Sequence, residues 1–197
     1  GLRFDSNTAV GSMFGARVGV VFPILERASV KLLFGRSHRA PSPEQLYGVP
    51  ATFLDVQGLE TLKPQYLTGG ELVADVFLAK WLNLSLNGFV NKLENNLAYL
   101  ARGNQLVATP YDATQLGGEG LLRLSVGLDE RFALDGSVAV SLQKTATSQQ
   151  VIAGFLQKDV PDNEGVPTAI ASGTAALRYL PLEASLRFRS TTSPSIS

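Results

Sequence analysis

The single histidine is the first place to look for chemistry. His38 sits in Phe34-Gly35-Arg36-Ser37-His38-Arg39, and the chain has no cysteine. Thiol catalysis, disulfide scaffolds and zinc sites built on cysteines or on two histidines are therefore excluded. A serine–histidine pair would have to use His38, and the G-x-S-x-G turn that often presents such a serine is absent. Gly117-Gly118-Glu119-Gly120 is glycine-rich, yet no Lys-Ser/Thr follows it to cradle a phosphate. Asp159-Val160-Pro161-Asp162-Asn163-Glu164-Gly165 is acidic but lacks the alternate-position ligands of a calcium loop. Asn83-Leu84-Ser85 matches a glycosylation sequon but lies in a segment that reads as a strand. No enzyme, metal or cofactor is expected from these residues.

Composition narrows the class. Seventeen basic residues balance seventeen acidic ones, without the basic excess of a nucleic-acid binder. Charged residues are 17% of the 197, below the roughly 25% of soluble domains. Mean hydropathy is slightly positive, but no window holds the ~20 apolar residues of a membrane helix. So apolar a chain is either tightly double-layered or a β-structure that faces lipid.

The periodicity is that of strands. Leu82, Leu84 and Leu86 alternate with Asn83, Ser85 and Asn87. Leu134, Val138, Val140 and Leu142 oppose Asp135, Ser137, Ser141 and Gln143, and Ala184, Leu186 and Phe188 oppose Ser185, Arg187 and Arg189. Eight strands are predicted after an opening strand tail at residues 1–5, namely 16–22, 30–34, 71–78, 82–90, 120–128, 132–143, 175–179 and 184–188. Short turns are expected at 23–28, 79–81, 129–131 and 180–183. Long connections, rich in Pro, Asn, Gly and Gln, are expected at 37–65, 91–110 and 145–168. Strict alternation of short and long connections, with ~10-residue strands of alternating polarity, is the pattern of a transmembrane β-barrel. The polar set Arg17, Lys31, Glu71, Asp75, Asn83, Asn87, Arg123, Asp135, Arg187 and Arg189 is then expected to face the lumen. Trp81, Phe22 and Tyr179 lie near short turns, as interface-belt aromatics do.

Several motifs carry a family resemblance. Arg39-Ala40-Pro41-Ser42 after a strand resembles a signature of TonB-dependent outer-membrane receptors, with Gln45 in the usual acidic place and His38 where an aromatic is usual. Leu62-Lys63-Pro64-Gln65 resembles the family's leucine–lysine–proline–glutamate, and Glu71-Leu72 opens a strand as its glutamate–leucine does. Gly1-Leu2-Arg3-Phe4-Asp5 is similar to a strand end of the same family.

The resemblance implies an all-β fold: an antiparallel up-and-down barrel of 22 strands, of which residues 1–197 would supply eight or nine, with short periplasmic turns and long extracellular loops. It implies the bacterial outer membrane as location. It also implies ligand-gated uptake of a scarce nutrient such as an iron chelate, cobalamin or carbohydrate, with a plug domain and the TonB complex as partners. No plug segment is seen in the chain, which reads as a partial barrel from the later half of such a receptor. Polar lumen residues would hold the plug, and the long loops would meet ligand. His38 is read as a loop residue beside the Arg-Ala-Pro-Ser turn, with contact to an iron chelate as the alternative. A porin-like or structural barrel without a plug is the competing class, separated by whether a plug sequence lies upstream. A soluble β-sandwich carbohydrate-binding module is the third, tested by solubility without detergent.

Overall fold

The computed structural model describes residues 1–48, 55–102, 105–127, 132–147, 168–179 and 182–192. The elements are β1 (Leu2–Asn7), β2 (Gly11–Leu25), β3 (Ala28–Arg39), α1 (Pro43–Tyr47), β4 (Asp55–Gln57), β5 (Gln65–Ala79), β6 (Leu82–Arg102), β7 (Gln105–Gly127), β8 (Phe132–Thr147), β9 (Ala169–Tyr179) and β10 (Leu182–Thr191). Nine strands form one antiparallel meander in the order β1-β2-β3-β5-β6-β7-β8-β9-β10. The short β4 lies outside that path and pairs in parallel with the start of β7. Each strand of the meander pairs with its sequence neighbours, and β1 and β10 are its two edges. This matches the nine strands expected from sequence.

The strands are longer than the alternation alone indicates. Pro23, expected in a turn, lies in β2 beside a register irregularity between Pro23 and Leu25, and the turn is only Glu26-Arg27. Lys80-Trp81 turns β5 into β6. The expected turn at 129–131 lies outside the described residues, as does the start of that at 180–183, whose Leu182 and Glu183 already belong to β10. On the opposite side of the sheet, the three residues Thr8–Val10 join β1 to β2. Strict alternation of short and long connections therefore fails at that first hairpin.

The largest departure concerns 91–110. Its asparagines and Pro110 read as a loop, yet it is almost wholly strand: β6 runs to Arg102 and β7 starts at Gln105. The register absorbs the irregular residues locally. A shift between Leu93 and Asn96 accommodates Asn95, whose φ of 54° is in the left-handed region that Asn tolerates. Pro110 pairs with Leu97, while the ladder from β7 to β8 begins only at Ala113. Its missing N–H thus interrupts none of the described bonds between β7 and β8.

The connection from β3 to β5 has structure of its own. Pro41 cannot continue the ladder and biases Ala40 towards an extended backbone, so β3 ends at Arg39. Ser42 then caps α1: its Oγ accepts the Gln45 N–H at 3.3 Å, and the Gln45 side chain accepts the Ser42 N–H at 2.8 Å. This reciprocal capping box, with Pro43 in the first turn, starts a helix too short to persist alone. Packing supplies the rest. Leu46, Leu62 and Ala108 form a small buried core, joined by Val10, Leu59 and Leu97.

Candidate functional site

Directly paired residues of neighbouring strands share a face, so the register sorts the side chains. Arg17 pairs with Gly35, two places along β3 from Ser37 and four from Lys31. Lys31 pairs with Val73, which lies between Glu71 and Asp75 on β5. Val73 in turn pairs with Asn87, Asn83 with Arg123, and Ser125 with Asp135. Ser137 pairs with Thr174, which pairs with Arg187, and Ser172 pairs with Arg189. All ten polar residues singled out from the sequence therefore lie on one face of the sheet.

That face is laced by cross-strand bonds. Lys31 Nζ lies 2.8 Å from Asp75 Oδ2, and Ser85 donates to Asp75 Oδ1 at 2.7 Å. Ser125 donates to Asp135 at 2.7 Å, and Ser137 bonds Thr174 at 2.7 Å. A groove of about 630 Å³ lies on the same face between Arg17, Glu71 and Asn91. At its floor a Cβ on Gly69 would collide with the Asn91 side chain, so the asparagine occupies the space that glycine leaves.

The opposite face is apolar from row to row. Val20, Leu32 and Leu72 are paired in sequence across β2, β3 and β5, and Val76, Leu84, Leu122 and Val138 across β5 to β8. Leu186 and Phe188 continue the face on β10, opposite Ala175 and Gly173. These side chains are exposed: Leu32, Leu72, Leu86, Val140, Leu186 and Phe188 are each more than two-fifths accessible. Phe22 and Tyr179 lie on this face near the short turns, and Trp81 is in one, all exposed. A soluble sandwich would bury such a face; this sheet leaves it uncovered over the described residues.

The end with the long connections is built differently. His38 is not in a loop but on β3, with its side chain only 1% exposed. Its Nε2 lies 2.7 Å from Asp5 Oδ2, bridging β3 to β1 across β2. The same carboxylate oxygen lies 2.7 Å from an Arg3 guanidinium nitrogen. The hydrogen bond with His38, then that from Arg3, holds the Asp5 carboxyl below the ordinary aspartate range. Arg36 stacks over the Tyr66 ring at 4.3 Å.

The motif residues now have physical roles. Arg39 ends β3, Ala40-Pro41 releases the chain, Ser42 caps α1, and Leu62 enters the small core. Lys63 is exposed, and the Pro64 carbonyl accepts a hydrogen bond from Asn95 Nδ2 at 3.1 Å. Gln45, which replaces the expected acidic residue, is buried and donates through Nε2 to the Tyr99 hydroxyl at 2.9 Å. The sequence reading missed Gln45 and Tyr99 as an anchoring pair; the Ser-x-x-Gln spacing of a capping box was the available signal. The acidic stretch 159–165 and most of the connection 145–168 lie outside the described residues.

Residues 1–193 match the sequence pattern of the family described as TonB dependent receptor-like, beta-barrel. The chain belongs to this family. Its fold is shared with the siderophore receptor PirA from Pseudomonas aeruginosa, at 17% identity and a TM-score of 0.62 over 96% of this chain and 34% of that one. It is likewise similar to the copper transporter OprC, at 16% identity and a TM-score of 0.67 over 90% and 26% of the two chains. PirA from Acinetobacter baumannii matches at 17% identity and a TM-score of 0.64, over 95% and 30%. The chain thus spans about a third or less of these receptors' length. No curated protein matches it. Membership of a family of transport receptors agrees with the all-β meander and with the two-faced chemistry of the sheet.

Proposed function

We propose that the chain is part of the barrel wall of a TonB-dependent transporter in the bacterial outer membrane. The observation that carries this is the division of the sheet into faces. Ten charged or amide residues share one side, and the other is an uncovered field of Leu, Val and Phe. Lipid solvates the apolar face. The polar face lines the lumen and holds a plug domain by hydrogen bonds and ion pairs, the plug being supplied outside this chain. The connection from β3 to β5, the far end of the β6–β7 hairpin and the connection from β8 to β9 face outward and contribute to capture or gating of a scarce nutrient, and the TonB complex drives release. The solved receptors of this fold include siderophore receptors and a copper transporter, so metal chelates and metal ions are the first ligands to test.

Epitope tags test the topology. In the intact receptor, tags at Gln57, Asn104 and Asn163 are expected to bind antibody on whole cells. Tags at Lys80 and Glu130 are expected to be reached only after the outer membrane is permeabilised. Labelling of Lys80 or Glu130 on intact cells would invert the wall and remove the basis for placing ligand capture on the long connections.

A further inference from the structure

The apolar face is not uniformly filled. A trough of about 600 Å³ is walled by Phe34, Leu72, Val90 and Leu116, with Gly70 and Gly88 at its floor. That is within the ~300–1,000 Å³ of small-molecule sites. A Cβ on Gly88 would meet nothing within 4 Å, and one on Gly70 only the Leu33 carbonyl oxygen at 4.0 Å. Neither glycine is therefore there because a protein neighbour crowds it, and the space above both is open.

The row two residues before Gly70 along β5 is charged. Thr68 lies two residues before Gly70 on β5, on the same face, and pairs with Arg36 on one side and Lys92 on the other. Arg36 is exposed and rests on Tyr66; the Lys92 side chain is 59% exposed, with Nζ 3.0 Å from Glu94 Oε1. This row lies eight residues along β3 from Ala28, eleven along β5 from Ala79 and ten along β6 from Leu82. A strand crosses the hydrocarbon in ~9–11 residues, so these cations stand at the outer interface, directly above the trough.

We propose that the trough holds one acyl chain of a phosphate-bearing lipid of the outer leaflet, with its phosphate between Arg36 and Lys92 and within reach of the Thr68 hydroxyl. This rests on the reading of the apolar face as lipid-facing. Within a bilayer an acyl chain gains little by exchanging neighbouring lipid for leucine, because both are apolar. Selection must therefore come from the headgroup, where two cations flanking a hydroxyl complement a phosphate and its charge-assisted hydrogen bonds. The unfilled glycine floor lets the attached chain lie against the wall instead of being pushed away from it.

The test uses the intact receptor in nanodiscs of phosphatidylcholine doped with either phosphatidylglycerol or lipid A, followed by detergent exchange and native mass spectrometry. The wild type is expected to retain one molecule of the anionic dopant lipid in preference to the zwitterionic phosphatidylcholine. The Arg36→Gln/Lys92→Gln double variant is expected to lower that retention at least about tenfold. Gly88→Leu, which fills the trough and leaves the cations, is expected to lower it as well. Equal retention by the wild type and the double variant would overturn the proposal, as would unchanged retention in Gly88→Leu. Displacement of the lipid by inorganic phosphate alone would overturn it too, since the site would then hold an anion without a tail. The chain contributes no cysteine of its own, so a cysteine placed at Leu86 or Asn87, with any cysteine elsewhere in the receptor replaced by serine, separates the two readings. If a water-soluble maleimide reaches Leu86→Cys and not Asn87→Cys, the facing of the wall is wrong. If it reaches only Asn87→Cys and lipid retention still ignores Arg36 and Lys92, only the lipid site fails.

Discussion

The half of the sheet near the short turns and the half beyond Arg36, Thr68 and Lys92 are stabilised by different physics. Among the described residues, every buried hydrophobic belongs to the second half: Met13, Leu46, Leu62, Ala108 and Ala113. There a capped helix, an added parallel strand and a small core hold the connection between β3 and β5 against the β6–β7 hairpin. The first half has no core of that kind. Its apolar side chains point outward, and its order comes from ladder hydrogen bonds and from polar pairs such as Lys31–Asp75 and Ser125–Asp135. One strand, β6, belongs to both regimes. With the apolar face lipid-facing as proposed, outward apolar side chains are no defect because lipid is their solvent, and burial is needed again only where the chain meets water.

The largest effect that would break this comparison is a charge placed on the apolar face. Arg at Leu84 or Val140 is expected to cost roughly 2–4 kcal/mol of barrel stability, measured by denaturant unfolding of the receptor in lipid vesicles. Arg at the neighbouring Asn83 or Ser141 is expected to cost much less, because a polar lumen solvates it. Equal losses at adjacent positions would remove the distinction between the faces. A related expectation is that residues 1–197 expressed alone form no monodisperse species without detergent, since two edge strands and one apolar face would meet water. A soluble monomer with a sharp thermal transition would refute it.

The outer half is expected to respond differently. Leu46→Ala or Leu62→Ala removes packing from a small core and is expected to loosen the connection locally by about 2 kcal/mol, the low end for such truncations because little surrounds the site. Limited proteolysis between residues 49 and 60 should accelerate, while the unfolding midpoint of the whole barrel stays put. A parallel fall of both would mean that the two halves form one cooperative unit. Tyr99→Phe, which leaves the buried Gln45 amide without its acceptor, is expected to produce a weaker form of the same effect, about 1 kcal/mol.

How much of this was legible follows the same division. Alternation at Leu82–Asn87 and Leu134–Gln143 revealed strands and faces because the two sides of the sheet there differ strictly in polarity, and all ten polar residues share one side. Beyond Arg36, Thr68 and Lys92 that contrast relaxes. Asn91–Ala101 and Leu106–Pro110 mix polar and apolar residues, Pro110 included, and read as a loop although they form a hairpin. His38 was misplaced for another reason: its partner Asp5 lies 33 residues away on a strand that does not neighbour its own, a contact that no local pattern encodes. Ser42 and Gln45 carried a local signal, the capping-box spacing, but α1 is five residues long, too short to show apolar periodicity.

The smallest expected effect sharpens the boundary between the halves through pH. Asp5 lies three residues from the Thr8–Val10 turn, in the outer half, and its carboxylate joins His38 and Arg3. The bond with His38, then that with Arg3, depresses its pKa in the folded protein. A carboxyl with a lowered folded pKa stabilises the fold above its unfolded value of about 3.9 and loses that contribution as pH falls through the folded value. Attachment of β1 to the sheet is therefore expected to be constant from pH 7 to 5 and to weaken progressively below pH ~4. Amide hydrogen exchange of residues 2–7, corrected for intrinsic rates, reads this directly. Asp5 is about a third exposed, so solvent screening keeps the change modest and confined to β1. Asp5→Asn is expected to abolish the pH dependence while lowering protection at pH 7. If the variant keeps the wild-type pH profile, the edge of the sheet is held by its ladder alone, and the His38–Asp5 bridge contributes nothing measurable to the outer rim.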